Sequence, residues 1–505
     1  MVGFLFILLS VVTPSALRSM PEGPVAGEVV LEGRVISAPA HPNLDDAVQV
    51  NHRSASMTQN NRTAYLQDPD GRCGVKLVFQ HLDPEARKLK RYGLARISLK
   101  DAVLSVENGG YVLNEIPNGA VLSLEPGTRE DIPMKERTVK TLTDEDLFTW
   151  VTLRDCEFVF KDGSYCNILE SYAVKPTGKT LLGGNGYMGT WQTLLTDGDA
   201  SPVYAVINSR VPWRRSGGGV PAGKGSFSGI YVRTDIDRYG KVHAPQIRPL
   251  DEEDFHFTEG ESAYKVICEW NWNDNQKEIR TEEGPMNFIK RQKVLPDVGE
   301  GRLWTDFEAS SYRGRDCNNP AMEPDKDYVL GHRGQVLNGS LQVRTQAANW
   351  WNWGEDCGNS LVVKFSTEGL SGDRLALAFT FAAGDNGAAS TQMCPVYWGV
   401  EVSTDNIHIA RVDIPDIMVR PLPWFTKSLD GVTYWTSEEA GMGLTEHLVV
   451  LPSSLFGRKE VYVRISPVRR NAYTLAMRGS VNAALRPNDT AGTRMEFGTI
   501  KIICK

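Results

Sequence analysis

Short β-branched and aliphatic runs, broken by Gly, Asp and Asn, recur along most of this chain. Gly27–Ser37, Gly74–Gln80, Leu94–Val106 and Gly110–Ile116 are such runs, and each reads as a strand. Asp83–Gly93 is the exception: acids early, bases late and a closing Gly predict a helix. Three strands, a helix and further strands give the order of a five-stranded Greek-key barrel of the OB type. The pattern then repeats. Val151–Phe160 parallels the first strand, Thr193–Ile207 parallels Tyr65–Phe79, and Gly229–Ile247 parallels Ala95–Ile116, which predicts a tandem duplication. Beyond a charged, mixed stretch the runs are all strand-like: Ser360–Thr367, Arg374–Gly384, Val396–Thr404, His447–Pro452, Lys459–Pro467 and Phe497–Cys504. Many short strands at this spacing predict a jelly-roll sandwich. The expected fold is all-β: two tandem OB-like Greek-key barrels (25–130 and 135–255), a linker (256–300) and a C-terminal jelly-roll β-sandwich (301–505).

The composition is that of a globular protein of several domains: 505 residues, 41% hydrophobic and 23% charged, with 47 Gly and 27 Pro between the apolar runs. A net charge of −7 gives no overall positive field to gather nucleic acid. The apolar run Val2–Val12 with Pro14, Ser15 and Ala16 after it reads as a signal segment over residues 1–20, although no Lys or Arg precedes the run and the true start can lie upstream; the competing reading is a buried first strand. Export to the cell surface, the outer membrane or the periplasm is the expectation. The eight cysteines include no C-x-x-C pair, so a structural zinc site is not expected. Cys156 and Cys166 flank a hairpin-like turn and read either as a disulfide or as two small buried residues.

The N-terminal half resembles tandem OB-like domains of unknown function in envelope proteins of glycan-degrading Gram-negative bacteria. Leu31–Ser37, Ala64–Gly71, Val220–Tyr231 and Pro245–Phe255 carry that resemblance. The C-terminal part is similar to the jelly-roll modules that often end such proteins, through Val362–Leu370, Val396–Val412 and Leu451–Ile465. The resemblance implies a cell-envelope protein whose partner is a polysaccharide or oligosaccharide, with other envelope proteins of a glycan-uptake or degradation machinery. It supplies no catalytic residues. Its members are usually lipoproteins, whereas no lipobox cysteine follows the apolar run here.

No catalytic motif stands out. The eight histidines never pair at metal-ligand spacing, and neither His-Glu-x-x-His nor Gly-x-Ser-x-Gly occurs. The acidic run Leu142–Leu147 reads as Thr or Asp capping a helical turn rather than as paired catalytic carboxylates. Ala173–Thr180, "AVKPTGKT", matches a loose phosphate-loop pattern but has no strand before it, glycines where the helix should continue and a proline where the cradle needs N–H donors. No nucleotide and no cofactor is expected.

The aromatics carry more. Twelve tryptophans include the clusters Glu269–Asp274 and Asn349–Asp356. An indole face stacks on the apolar face of a pyranose while Asn and Asp bind its hydroxyls, so Trp350, Trp351, Trp353, Asn352 and Asp356 are candidate sugar ligands. The competing reading makes such aromatics core residues. Two basic features, Ala86–Arg96 and the loop with Trp213, Arg214 and Arg215, also suit an OB-type nucleic-acid accessory, against the acidic chain as a whole. The sequence therefore favours an exported, non-catalytic glycan-binding protein of the envelope. The alternatives are a structural or adhesive envelope protein that binds other proteins, and the nucleic-acid accessory.

Overall fold

The computed structural model describes the chain outside residues 1–9, 39–40, 46–47, 52–53, 81–87, 118, 161–189, 198–199, 209–210, 215–219, 234–244, 273–277, 287–291, 307–332, 338–339, 345–359, 385–396, 415–416, 419–424, 430–431, 437–444 and 468–493. The chain is all-β: two tandem OB-like barrels followed by a jelly-roll sandwich.

In the first unit β1 (Ser10–Val12) and α1 (Pro14–Leu17) precede β2 (Val29–Val35), β3 (Thr63–Gln67), β4 (Gly74–Phe79), β5 (Leu94–Ser98), β6 (Val103–Glu107), β7 (Gly110–Ile116) and β8 (Val121–Glu125). β2 pairs antiparallel with β3 and β5, β3 with β4, and β7 with β6, while β4 and β7 run parallel. The expected single strand Leu94–Val106 is two strands, bent where Asp101 takes a φ of 64°. That bend closes the ring, because β5 faces β2 while β6 faces β7. Alternate side chains of the strands fill the barrel with Leu31, Leu66, Val75, Leu77, Ile97 and Leu113.

The second unit repeats this plan with β9 (Lys135–Arg137), β10 (Trp150–Phe158), β11 (Thr190–Asp197), β12 (Pro202–Asn208), β13 (Lys224–Val232), β14 (Gln246–Arg248) and β15 (Phe255–Thr258). β10 pairs with β11 and β13, β11 with β12, β13 with β14, and β12 runs parallel to β14. The repeat reaches beyond the barrels. A short leading strand lies parallel to the first barrel strand in both, Ser10 against Val29 and Lys135 against Val151. In both units a trailing strand then adds to the fourth barrel strand.

Residues 10–20, expected as the tail of a signal segment, thus sit in the first barrel. Leu17 is fully buried in its core. Ser15 donates its N–H to Asp68 at 2.9 Å, and its hydroxyl donates to the same carboxylate.

The barrels share a core. Phe148, at φ 62°, enters between Gly74 and Gly110, where a Cβ would meet the Phe148 carbonyl at 2.0 Å or its ring at 2.3 Å. Only glycine permits that approach. Phe148 and Trp150 then pack with Ile36, Tyr65, Val112, Ile230 and Leu250. Asn43 adds a polar lock, donating to the carbonyls of Val206 at 2.9 Å and Pro249 at 2.8 Å and accepting from Asn208 N–H at 2.9 Å.

The sandwich uses β16 (Lys265–Trp270), β17 (Arg302–Asp306), β18 (Arg333–Leu337), β19 (Ser340–Arg344), β20 (Ser360–Phe365), β21 (Leu375–Gly384), β22 (Tyr397–Ser403), β23 (Thr445–Leu451), β24 (Val461–Pro467) and β25 (Arg494–Cys504). One sheet pairs β25 with β16, β19 and β21, and β21 with β23. The other runs β17-β20-β24-β22. Leu375, Leu377, Phe379 and Phe381 of the first face Val363, Trp398, Val463 and Ile465 of the second. The stretch expected as a linker is divided between neighbours: β15 belongs to the second barrel and β16 to the sandwich.

Barrel and sandwich meet through the outer face of the β25 sheet, where Ala376 and Ile503 pack on Ala200 and Tyr264. Buried polar groups tie this junction. Glu446 accepts from Leu194 N–H, Tyr204 donates its hydroxyl to the Glu446 carbonyl at 3.0 Å, and Lys501 donates to the Val159 carbonyl. Burial pushes the Glu446 carboxyl up to about 8, against Leu194 N–H and Lys501, which pull it down.

Candidate functional site

A shallow cleft whose enclosed volume is about 10 Å³, room for roughly one water molecule, lies beside the joint of the two barrels, lined by Ile36, Arg91, Tyr92, Arg129, Ile132, Met134 and Trp150. Each wall has a local origin. Ile36 follows β2, Arg91 and Tyr92 lead into β5, and Trp150 opens β10. Arg129 opens a 3-10 turn in the connection between barrels and Ile132 follows it, the turn held by a capping box of Thr128 and Asp131. Ile36, Ile132 and Trp150 are nearly fully buried and form the floor, while Arg129 and Met134 stand at the lip.

Arg91 is the central polar group. Its guanidinium carbon lies 4.5 Å from the Trp150 ring centre and 5.1 Å from that of Tyr92, and it is ion-paired with Asp251. Its Nε is buried and makes no hydrogen bond within the structure. Arg129 faces Glu253 at 4.0 Å, and Arg34 faces Asp131 at 3.7 Å. The two carboxylates from the second barrel sit on a turn capped by Asp251 and Asp254. Burial pushes Asp254 up to about 6, against the N–H groups of Asp251 and Leu250. His41 nearby is held below its ordinary value by burial, with Asp251 pulling the other way.

The cleft thus has apolar walls and a rim on which each named cation already faces a carboxylate. That chemistry suits an uncharged molecule carrying both an apolar face and hydroxyls. It offers little to a phosphate chain, which needs unneutralised cations.

The residues singled out from sequence fall as follows. Trp350, Trp351, Asn352, Trp353 and Asp356 lie outside the described residues, as do Cys166 and the whole of Ala173–Thr180. Trp213 is half-buried: its indole N–H reaches the Leu250 carbonyl at 3.4 Å, and its ring stands edge-on to Phe255 at 5.8 Å. It packs against the core of the second barrel, and Arg214 closes its 3-10 turn. In the other tryptophan cluster Trp270 and Trp272 are core residues of the sandwich, donating to the carbonyls of Val294 at 3.4 Å and Gly498 at 2.7 Å. Cys156 is buried as a free thiol, and burial pushes its pKa up. Thr143 and Asp146 form the expected cap, and Asp146 binds Lys135 at 2.9 Å and Arg137 at 3.0 Å. In the basic stretch Ala86–Arg96, Arg91 is taken by Asp251 and Arg96 by Glu32 at 2.6 Å.

Sequence reasoning missed the cleft because its walls come from four separated segments. The one local signal was Arg91-Tyr92, an arginine beside an aromatic ring, and it read as a solvated helix face. Among the described residues no group of His, Cys, Asp and Glu could hold a metal ion, and no helix is long and apolar enough to cross a membrane.

Fold and cleft define a modular all-β protein with a concave, charge-balanced site at the joint of its barrels. No family model matches the sequence, and no curated protein does. Among solved structures it is similar to one reported as "Structural basis for the promiscuous specificity of the carbohydrate-binding modules from the beta-sandwich super family". That likeness spans 63% of this chain and 75% of the other at 8% identity and a TM-score of 0.17. The fold assignment rests on the strand pairings and not on that likeness.

Proposed function

We propose that this is an exported, non-catalytic binding protein of the cell envelope whose ligand is a polysaccharide or oligosaccharide. The observation that carries the reading is the shallow inter-barrel cleft, in which half-buried Tyr92 and exposed Met134 supply apolar surface, over buried Trp150 and Ile132, beside ion-paired Arg91 and Arg129. A sugar ring needs an apolar face to rest on and fixed polar groups for its hydroxyls. A glycan array on the full chain tests it, followed by titration of the best ligand against Arg129→Ala and Met134→Ala. Both side chains are at the lip, so these variants keep the fold. Binding is expected to weaken a few-fold in each, less than for a central contact because both stand at the lip. Binding that Trp351→Ala and Trp353→Ala abolish while the lip variants leave it unchanged would move the site to the Trp-rich loop. Retardation by single-stranded DNA but by no glycan would refute the reading.

The adhesive alternative has one feature in its favour. Ile407 and Ile409 are 76% and 44% exposed on a tight loop that Asp405 fixes by accepting from the N–H groups of Ile407 and His408, both at 2.8 Å. A rigid apolar tip suits a protein groove. A silent glycan array together with an Ile407→Ser-sensitive pull-down of one envelope protein would favour it.

A further inference from the structure

The sandwich has two outer faces, and they differ in chemistry. The β25 sheet turns Ala376, Ile503 and Lys501 toward the second barrel, so that face is occupied within the chain. The β17-β20-β24-β22 sheet turns its alternate residues the other way. Strand register sets Arg302, Lys364, Tyr462 and Ser403 side by side in one row, and Trp304, Val362, Arg464 and Glu401 in the next; Val362, Ser403, Arg464 and Tyr462 are buried, so the accessible part of this face is its β17 end.

At the β17 end of this face two aromatic rings meet. Trp304 and Tyr462 stand edge to face with centres 6.3 Å apart. Trp304 is half-buried, whereas Tyr462 is 8% exposed and lies behind as support. Polar groups surround the pair. The Tyr462 hydroxyl donates to Glu460 at 2.8 Å, Lys364 pairs with the same carboxylate and lies 5.2 Å over the Tyr462 ring, and Arg302 pairs with Glu282. Lys293 lies 5.5 Å from the Trp304 ring centre. The carboxylates of Glu282 and Glu460 are held below their ordinary range, chiefly by hydrogen bonds from Arg302 and Lys364 respectively, so both pairs stay ionised.

A tryptophan on the outward side of a strand, flanked by two ion pairs and by Lys293, offers a stacking surface and directed hydrogen bonds, with one cation in excess of the two carboxylates. We infer that this patch, centred on Trp304 with Lys364, Glu460, Arg302, Glu282 and Lys293 around it, is a second saccharide-binding surface for pyranose rings, separate from the inter-barrel cleft. Trp304 contacts the ring, and Tyr462 is a positioning residue that orients Glu460. The inference rests on the proposal that the protein binds glycan. Two contacts on one rigid chain then raise the effective affinity for a long polysaccharide well above that for a short oligosaccharide.

The test uses the full chain in native gels cast with xyloglucan, galactomannan or mixed-linkage β-glucan, and with polygalacturonate as the charged comparison. Trp304→Ala, Trp304→Phe and Glu460→Gln are run beside Arg129→Ala, each checked for an unchanged melting transition. Trp304→Ala is expected to weaken retardation by a neutral polymer about tenfold or more, with Trp304→Phe in between and Glu460→Gln losing a few-fold. The loss should add to that of Arg129→Ala in the double variant. Full binding by both Trp304→Ala and Glu460→Gln, with loss only in Arg129→Ala, would overturn the second surface and leave the cleft. Retardation by none of the polymers would overturn both proposals.

Discussion

Leu17→Ala separates a processed leader from a folded element. Leu17 is fully buried, its segment is anchored by the two Ser15 hydrogen bonds to Asp68, and β1 pairs in register with β2 from Ser10 to Val12. Removing three carbons from such a site leaves a cavity and costs about 2–5 kcal/mol. The two barrels share the Phe148 and Trp150 core, so they should melt together as a unit of some 200 residues or more. For a unit of that size each kcal/mol moves the midpoint by about 2–4 °C, so a central value of ~3 kcal/mol lowers it by about 6–12 °C. The control is Val11→Ala, at a side chain 53% exposed on the same segment, which should stay within about 0.5 kcal/mol. Cutting the chain after Ala16, where small residues suggested a processing site, should be worse still. It removes β1 and leaves the Asp68 carboxylate, 1% exposed, with Cys73 N–H but without Ser15. Differential scanning calorimetry on the three proteins decides the matter. Equal midpoints for Leu17→Ala and Val11→Ala would refute the reasoning and return residues 10–20 to the status of a leader.

Two further outcomes follow from buried polar groups. Glu446 binds its proton more tightly folded than unfolded, about 8 against an ordinary 4.5. Its contribution is therefore complete below about pH 4.5 and is lost as pH rises to about 8, at up to ~1.4 kcal/mol per unit. Urea unfolding between pH 5 and 8 should show Glu446→Gln lacking that share of the decline, and identical slopes would refute the assignment. Asn43→Ala strands the Val206 and Pro249 carbonyls and the Asn208 N–H in the barrel joint, and should cost about 2–4 kcal/mol in chemical denaturation. A loss under ~0.5 kcal/mol would mean that the joint opens without it.

The comparison of sequence with structure turns on range. Strand positions such as Gly74–Phe79 and Val461–Pro467 were legible because β-branched runs between turn residues are a local signal. The order of strands named the barrel, and recurrence of that order named the duplication, while the start of the helix expected over Asp83–Gly93, residues 83–87, lies outside the described residues. Local signals say least where their meaning depends on what lies opposite. Residues 10–20 carry leader-like small residues and also pack against β2 and Asp68, and the tryptophans of Glu269–Asp274 are closed over by the sandwich.

What the sequence determined by itself is the all-β class, the tandem repeat and the lack of a local catalytic motif, since each depends on neighbours along the chain. What only the tertiary structure decided is which polar and aromatic side chains meet. Arg91 faces Asp251 across 160 positions, and Trp304 faces Tyr462 across two strands. No period or spacing encodes such encounters, because packing geometry and charge pairing act through space, where residues far apart in the chain come within a few ångströms.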